Sequence, residues 1–162
     1  MFTDKQLNEL VDLLCKVDSN TKIYIGSDSV RFKKNGERFF RVATVLVVHL
    51  NGRNGCKVFR HRSTHRDYDI KMSRPSQRLM TEVMQTCELY HQVAPLIEGY
   101  DIEIHADVNP DEKHGSSCVA QQAAGYILGV TGIAPKLKPE AFVASFGADH
   151  YAHKMMEKDE SR

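Results

Sequence analysis

Four acidic residues stand where carboxylates can do chemistry: Asp28, Glu82, Asp107 and Asp149. Asp28 closes the run Ile23-Tyr24-Ile25-Gly26-Ser27, and Asp107 closes Ile102-Glu103-Ile104-His105-Ala106. Both runs read as strands, and in open α/β sheets sites gather at strand ends. Side chains alternate along a strand, so Tyr24, Gly26 and Asp28 share one face, as do Glu103, His105 and Asp107. Two such strands, if parallel neighbours, bring Asp28 and Asp107 together. Glu82 follows Leu79 and precedes Val83 on the apolar stripe of a helical pattern, and Asp149 sits among Phe142, Phe146, Ala148 and Ala152. An acid in such company is costly unless it is paired or bound to a cation.

This donor set suits Mg²⁺ or Mn²⁺, hard ions that prefer oxygen ligands. Two such ions, ~3.5–4 Å apart, can activate a water and stabilise the leaving oxygen in phosphodiester hydrolysis. Crowded carboxylates repel one another without metal, which raises some of their pKa values and makes a cation trap. Taken singly, each acid has a plainer role. Asp28 could form a turn or cap, Glu82 could be a solvated helix residue, and Asp149 could pair with a nearby Lys or His. The joint pattern is what points to a metal site.

Other polar residues surround these acids in the sequence. His105 shares a face with Asp107 and could hydrogen-bond a metal-bound carboxylate; a satisfied structural histidine is the other reading. His150 and His153 flank Asp149 and could pass a proton to a leaving group, or simply be exposed. His61 and His65 lack a third ligand for zinc. The basic run Arg60, Arg62, Arg66, Lys71 and Arg74, with Lys138 further on, is the candidate phosphate contact, positioning a nucleic acid without reading its sequence. Its bland alternative is a solvated loop in which Asp67 and Asp69 dilute the charge. Ser116 or Ser117 is read as the cap of the following helix. No base stands at an informative spacing from a serine or cysteine nucleophile.

The elements that must position these groups follow from periodicity. A first helix is expected over Thr3–Val17, with Thr3 as N-cap and Gln6 three residues on. Strands are expected at Lys22–Ser29, Phe39–Leu50 and Cys56–Ser63, joined by turns at Asn35-Gly36 and around Asn51–Gly55, so that they form an antiparallel meander. His61–Arg74 reads as a loop. A helix from Pro75, kinked or ended early by Pro95, carries Glu82. After the strand ending at Asp107 come a small-residue helix over Ser116–Leu128, a short strand Lys136-Leu137-Lys138 and a last helix from Pro139 to about Glu157. A meander followed by alternating strands and helices implies a mixed α/β sheet.

Bulk properties set the frame. The 162 residues, 41% hydrophobic and 27% charged, suit one globular domain over 1–162, with residues 1–18 as an extra N-terminal amphipathic helix. That helix could pack on its own sheet or mediate a homodimer, since both bury the same stripe. The net charge of +1 gives no global pull toward nucleic acid, so any such binding must come from local basic patches. No apolar run reaches the ~20 residues of a membrane span. The four cysteines form no CxxC pair and are read as free thiols in a reducing cytoplasm.

At this point the chain resembles a known group. Ile23-Tyr24-Ile25-Gly26-Ser27-Asp28-Ser29, Arg78-Leu79 with Glu82, Ile104-His105-Ala106-Asp107-Val108-Asn109, Gly125-Tyr126-Ile127-Leu128-Gly129, and Lys138-Pro139 with Ala148-Asp149 look like the YkuK family of ribonuclease H-like nucleases. The resemblance implies a five-stranded mixed sheet, three antiparallel strands then two parallel ones, with helices on both faces. It also implies an Asp-Glu-Asp-Asp site of the kind shared by ribonucleases H and Holliday-junction resolvases. Asp28 and Asp107 take its strand positions, Glu82 (or Glu88 in its stead) its first-helix acid, and Asp149 its last-helix acid. Three functions therefore stand side by side. The first is a Mg²⁺- or Mn²⁺-dependent nuclease acting on RNA, RNA–DNA hybrid or structured DNA. The second is a weak or inactive nucleic-acid-binding module of the same fold, and the third a hydrolase of small phosphoesters.

Overall fold

The computed structural model describes residues 1–71 and 73–143. Its elements run α1 (Asp4–Leu14), β1 (Lys22–Lys34), β2 (Glu37–His49), β3 (Cys56–Arg66), α2 (Ser76–Ile97), β4 (Asp101–Ala106) and α3 (Ala120–Thr131). The meander is as expected: β2 pairs antiparallel with both β1 and β3, and β4 lies parallel to β1, giving the order β3-β2-β1-β4. Asn35 and Gly36, with φ of 53° and 79°, form the β1–β2 turn, where both residues must enter the left-handed region.

Two strands are longer than periodicity suggested. β1 continues past Ser29 because Val30–Lys34 pair with Glu37–Arg41. β3 continues past Ser63 into the expected loop, because Thr64–Arg66 pair with Phe39–Arg41. Among the described residues β3 is an edge strand, and a charged edge is ordinary protection against pairing with other chains. Its polarity therefore hid it.

The expected fifth strand is reduced to a single parallel bridge, His105↔Lys136. Lys136 N–H donates to Ile104 O at 2.8 Å, and Ala106 N–H donates to Lys136 O at 3.0 Å. Lys138 N–H reaches Val108 O at 3.1 Å, and Pro139, with no N–H, then stops the pairing. Among the described residues the sheet has four strands, not five.

One face of the sheet carries the core. Ile23, Ile25, Leu46, Val48 and Phe59 pack against Leu10 and Leu14 of α1 and Leu89, Val93 and Ile97 of α2. Ile104 and Ala106 pack against Leu79, Val83 and Cys87 of α2 and Ala123 and Ile127 of α3. The described helices α1, α2 and α3 lie on one face; helices on both faces were expected, the last of them falling largely outside the described residues. The opposite face holds Ala43, Val45 and Val47 with Val143. The apolar stripe of α1 packs on its own sheet, the first of its two expected uses. Pro95 neither ends nor interrupts α2, which runs on to the fully buried Ile97. Ser116 does not cap a helix; its hydroxyl accepts from Asn109 N–H at 2.9 Å.

Thr3 and Gln6 form the anticipated capping box on α1. Thr3→Ala is expected to destabilise the protein by about 1 kcal/mol. Urea denaturation monitored by circular dichroism measures it, and an unchanged midpoint would show that tertiary packing alone holds α1 in place.

Candidate active site

The register of β1 and β4 brings two of the acids together. Ser27 pairs with Ala106, so Asp28 and Asp107 are the next residues on adjacent parallel strands. Asp28 is buried, and its Oδ1 accepts from Ser29 N–H at 2.7 Å. Asp107 is half-buried and ion-pairs through Oδ1 with Lys138 Nζ at 2.6 Å.

Glu82 approaches from α2. It is only 4% exposed, whereas Glu88, the alternative, faces solvent. Ser29 Oγ donates to Glu82 Oε1 at 2.5 Å, and Arg78 Nη1 lies 3.2 Å from the same oxygen, one helical turn back. Arg78 Nη1 also donates to Ser29 O and Oγ, both at 2.9 Å, tying α2 to β1. Burial, then the Asp28 carboxylate, push the Glu82 carboxyl well above its ordinary range, with a smaller push from Asp107; Arg78 and the Ser29 hydroxyl pull the other way. Glu82 therefore feels the charge of both aspartates, Asp28 more than Asp107.

A carboxyl with a raised pKa keeps, when folded, a proton that the unfolded chain has lost. Metal-free stability then falls as pH rises from the ordinary value of 4.5 toward the folded value. Glu82→Gln is expected to flatten this decline in EDTA, measured by denaturant unfolding across pH. Parallel curves for variant and wild type would mean that Arg78 and Ser29 keep Glu82 ionised.

His105 is fully buried at the edge of this site. Its Nδ1 accepts from Val143 N–H at 3.1 Å, which leaves Nε2 to donate to Glu103 Oε2 at 3.3 Å. Burial pulls its pKa down, against Glu103. Both ring nitrogens are thus engaged away from Asp107, and the ring packs between Tyr24 and Phe142 at 5.6 and 4.8 Å. Asp149, His150 and His153 lie outside the described residues.

The basic residues divide into two groups. Arg62 pairs with Ala43, and Ala43 with Asp28, so all three lie in one row across the sheet, on one face. At ~4.8 Å per strand, Arg62 is about 10 Å from Asp28 along the backbone row. Arg60 occupies the neighbouring position on that face, and Arg41 does so from β2. Burial, then Arg60 and Arg41, pull the Arg62 pKa down, as expected of three cations held close. Arg66 ends β3 in an ion pair with Glu37 at 2.6 Å, while Lys71 and Arg74 are exposed in the loop before α2.

Sequence reasoning missed Arg41, Ser29, and the roles of Arg78, Asp67 and Asp69. Arg78 had a readable signal, its i,i+4 spacing to Glu82. Asp67 and Asp69 are each 5% exposed and do not dilute a solvated loop. They hold Arg31 at 2.8 and 3.0 Å, and Asp69 accepts from the first N–H groups of α2, Gln77 at 2.8 Å and Arg78 at 3.3 Å. No local pattern could reveal this, because Arg31 lies on β1, far away in sequence.

The donor chemistry suits a hard divalent cation: carboxylate oxygens, one of them deeply buried beside another acid. Among the described residues, however, no group of three His, Cys, Asp or Glu is arranged to hold a metal ion. Lys138 and Arg78 supply positive charge to Asp107 and Glu82. All four cysteines are free, and no helix among the described residues is long and apolar enough to cross a membrane.

The family model described as ribonuclease H-like matches residues 7–153, nearly the whole chain. The chain belongs to the ribonuclease H-like family. Among solved structures, an Endonuclease V from Bacillus subtilis is similar at 12% identity and a TM-score of 0.30, covering 55% of this chain. The chain spans 40% of that neighbour's length, and a likeness this slight carries no argument about function. The comparison with curated proteins finds no match.

Proposed function

We propose that the protein is a metal-dependent nuclease that hydrolyses phosphodiester bonds in nucleic acid, with Asp28, Glu82, Asp107 and Asp149 as its metal-binding carboxylates. The observation that supports this best is the convergence of Asp28 and Asp107 from parallel strands, beside a Glu82 carboxyl raised first by burial, then by Asp28 and least by Asp107. Membership of the ribonuclease H-like family adds to it. Two Mg²⁺ or Mn²⁺ ions bound there would supply an activated water and stabilise the leaving oxygen. The chain's own part is to keep oxygen ligands close despite their repulsion. Ser29 and Arg78 orient Glu82, and Lys138 balances Asp107. Arg60 and Arg62, on the face of Asp28, would hold the phosphate backbone in register. Arg66, Lys71, Arg74 and Lys138 would extend that contact, and His150 or His153 could pass a proton. Within the family we read the chain as YkuK-like, and its free thiols suit a reducing cytoplasm.

A second reading is a nucleic-acid-binding module of the same fold with little or no catalysis. The absence of a three-ligand group among the described residues favours it, as do the cations already on Asp107 and Glu82. A labelled panel of RNA–DNA hybrid, four-way junction, single-stranded DNA and single-stranded RNA, each with Mg²⁺, Mn²⁺ or EDTA, separates the two. Metal-dependent cutting supports the nuclease and names its substrate class. Salt-sensitive binding without cutting supports the module.

A further inference from the structure

The segment between β3 and α2 is built to present two side chains to the outside. Asp67 and Asp69 turn inward, each 5% exposed, while Tyr68 is 67% and Ile70 94% exposed. Two buried carboxylates would be costly without partners. Arg31 binds both at 2.8 and 3.0 Å, and Asp69 N–H donates to Asp67 Oδ1 at 3.0 Å. Arg38 Nη2 donates to Asp69 O at 3.0 Å. Gln77 of α2 then fixes the backbone on either side of the bend: its Oε1 accepts from Tyr68 N–H at 2.6 Å, and its Nε2 donates to Arg66 O at 3.0 Å. With residues 67 and 69 pinned inward, 68 and 70 are left on the outside.

Single exposed apolar side chains are common and need no explanation. Here, by contrast, a network of buried charge holds two of them out. Basic residues flank them in the sequence: Arg66, Lys71 and Arg74. The Arg66 guanidinium lies 5.6 Å from the centre of the Tyr68 ring and is itself tied to Glu37. The ring is therefore braced, and ordering it on binding loses little freedom. The display is also linked mechanically to the carboxylates. Asp69 holds the first N–H groups of α2, and Arg78 on that turn bonds Glu82.

We propose that Tyr68 and Ile70 form a base-contacting edge, on which Tyr68 stacks against an unpaired or splayed base of a nucleic acid whose phosphates Arg66, Lys71 and Arg74 attract. An aromatic face among cations is the arrangement that binds single strands with little sequence preference. A duplex keeps its bases stacked internally and offers no free face. The edge therefore selects single strands and the unpaired bases of loops, bulges or junctions over uninterrupted duplex. This deepens the nucleic-acid reading of the site and rests on it.

Binding in EDTA tests it without cleavage. Fluorescence anisotropy would compare a labelled single strand with its duplex, using the full chain and the variants Tyr68→Ala, Tyr68→Phe, Ile70→Ala and Arg74→Ala. Tyr68→Ala should weaken single-strand binding about 10-fold or more, with Tyr68→Phe within about twofold of wild type. Duplex affinity should be unmoved by either. Arg74→Ala should flatten the salt dependence, while Tyr68→Ala should lower affinity without changing that slope. Both Tyr68 and Ile70 are exposed, so these variants fold. Equal single-strand affinity for Tyr68→Ala and wild type overturns the proposal, as does a wild type that binds no nucleic acid. The two readings fail separately. Tyr68-dependent binding with no cutting in Mg²⁺ ends the nuclease reading and keeps this one. Cutting with Tyr68-independent binding does the reverse.

Discussion

The double variant Asp28→Asn, Asp107→Asn is expected to lose metal-dependent cleavage while keeping its fold. Asparagine has nearly the shape of aspartate and can still accept the Ser29 N–H bond at position 28. What goes is the negative charge on two adjacent parallel strands, the charge that would attract and hold a divalent cation. Loss of one group that stabilises transition-state charge lowers turnover by roughly 10²–10³-fold, and two ligands removed together should do at least that. The fold should not suffer, because Asp28 is the strongest of the charged neighbours that push the Glu82 carboxyl upward. Removing that repulsion should leave the thermal midpoint in EDTA equal to or above that of wild type. Nuclease assays beside thermal melts, with and without Mg²⁺, check both halves. Full activity in the double variant would sink the metal-carboxylate reading. Lost activity with a lowered midpoint in EDTA would place the two acids among the structural residues instead.

Asp69→Ala is the substitution expected to cost most stability. The change strips Arg31 of one of its two carboxylates, in a setting where the Arg31 side chain is only 18% exposed. It also uncaps α2, because Pro75 offers no side-chain cap and Asp69 accepts from Gln77 and Arg78. Breaking a buried pair destabilises by roughly 3–5 kcal/mol. Because Asp67 still holds Arg31, the low end, about 3 kcal/mol, is expected in urea denaturation. Asp69→Asn keeps a hydrogen-bond acceptor for the helix and should lose less. A loss below about 1 kcal/mol in Asp69→Ala would mean that water replaces the carboxylate. Such a result would also undercut the rigid display of Tyr68 and Ile70.

What the sequence determined by itself is whatever depends on neighbours along the chain. The Thr3–Gln6 capping box, the Asn35-Gly36 turn and the apolar alternation of Ile23–Ile25 and Ile102–Ile104 are local patterns with local causes. They sufficed for the meander and for placing Asp28 and Asp107 at two strands, although Asp28 lies within β1 rather than closing it and Asp107 just follows β4. The elements misjudged were those whose stability comes from elsewhere. The last residues of β3, Thr64–Arg66, are polar because their edge position demands nothing apolar, and their partners are on β2. Lys136–Lys138 stops at one bridge because Pro139 follows, although its own residues read as strand. α2 passes through Pro95 because Val93 and Ile97 are buried around it.

Only the tertiary structure decided the candidate site. That Asp28 and Asp107 are neighbours depends on β4 joining β1 in parallel, with Ser27 against Ala106, a register that no spacing in the sequence encodes. Tertiary packing likewise buried Glu82, left Glu88 exposed and turned Ser29 toward Glu82. It also gave Lys138 to Asp107, and Arg31 to Asp67 and Asp69. Each of these joins residues far apart in sequence through charge and burial. Such interactions gain their strength where water is excluded, and only the folded chain excludes it.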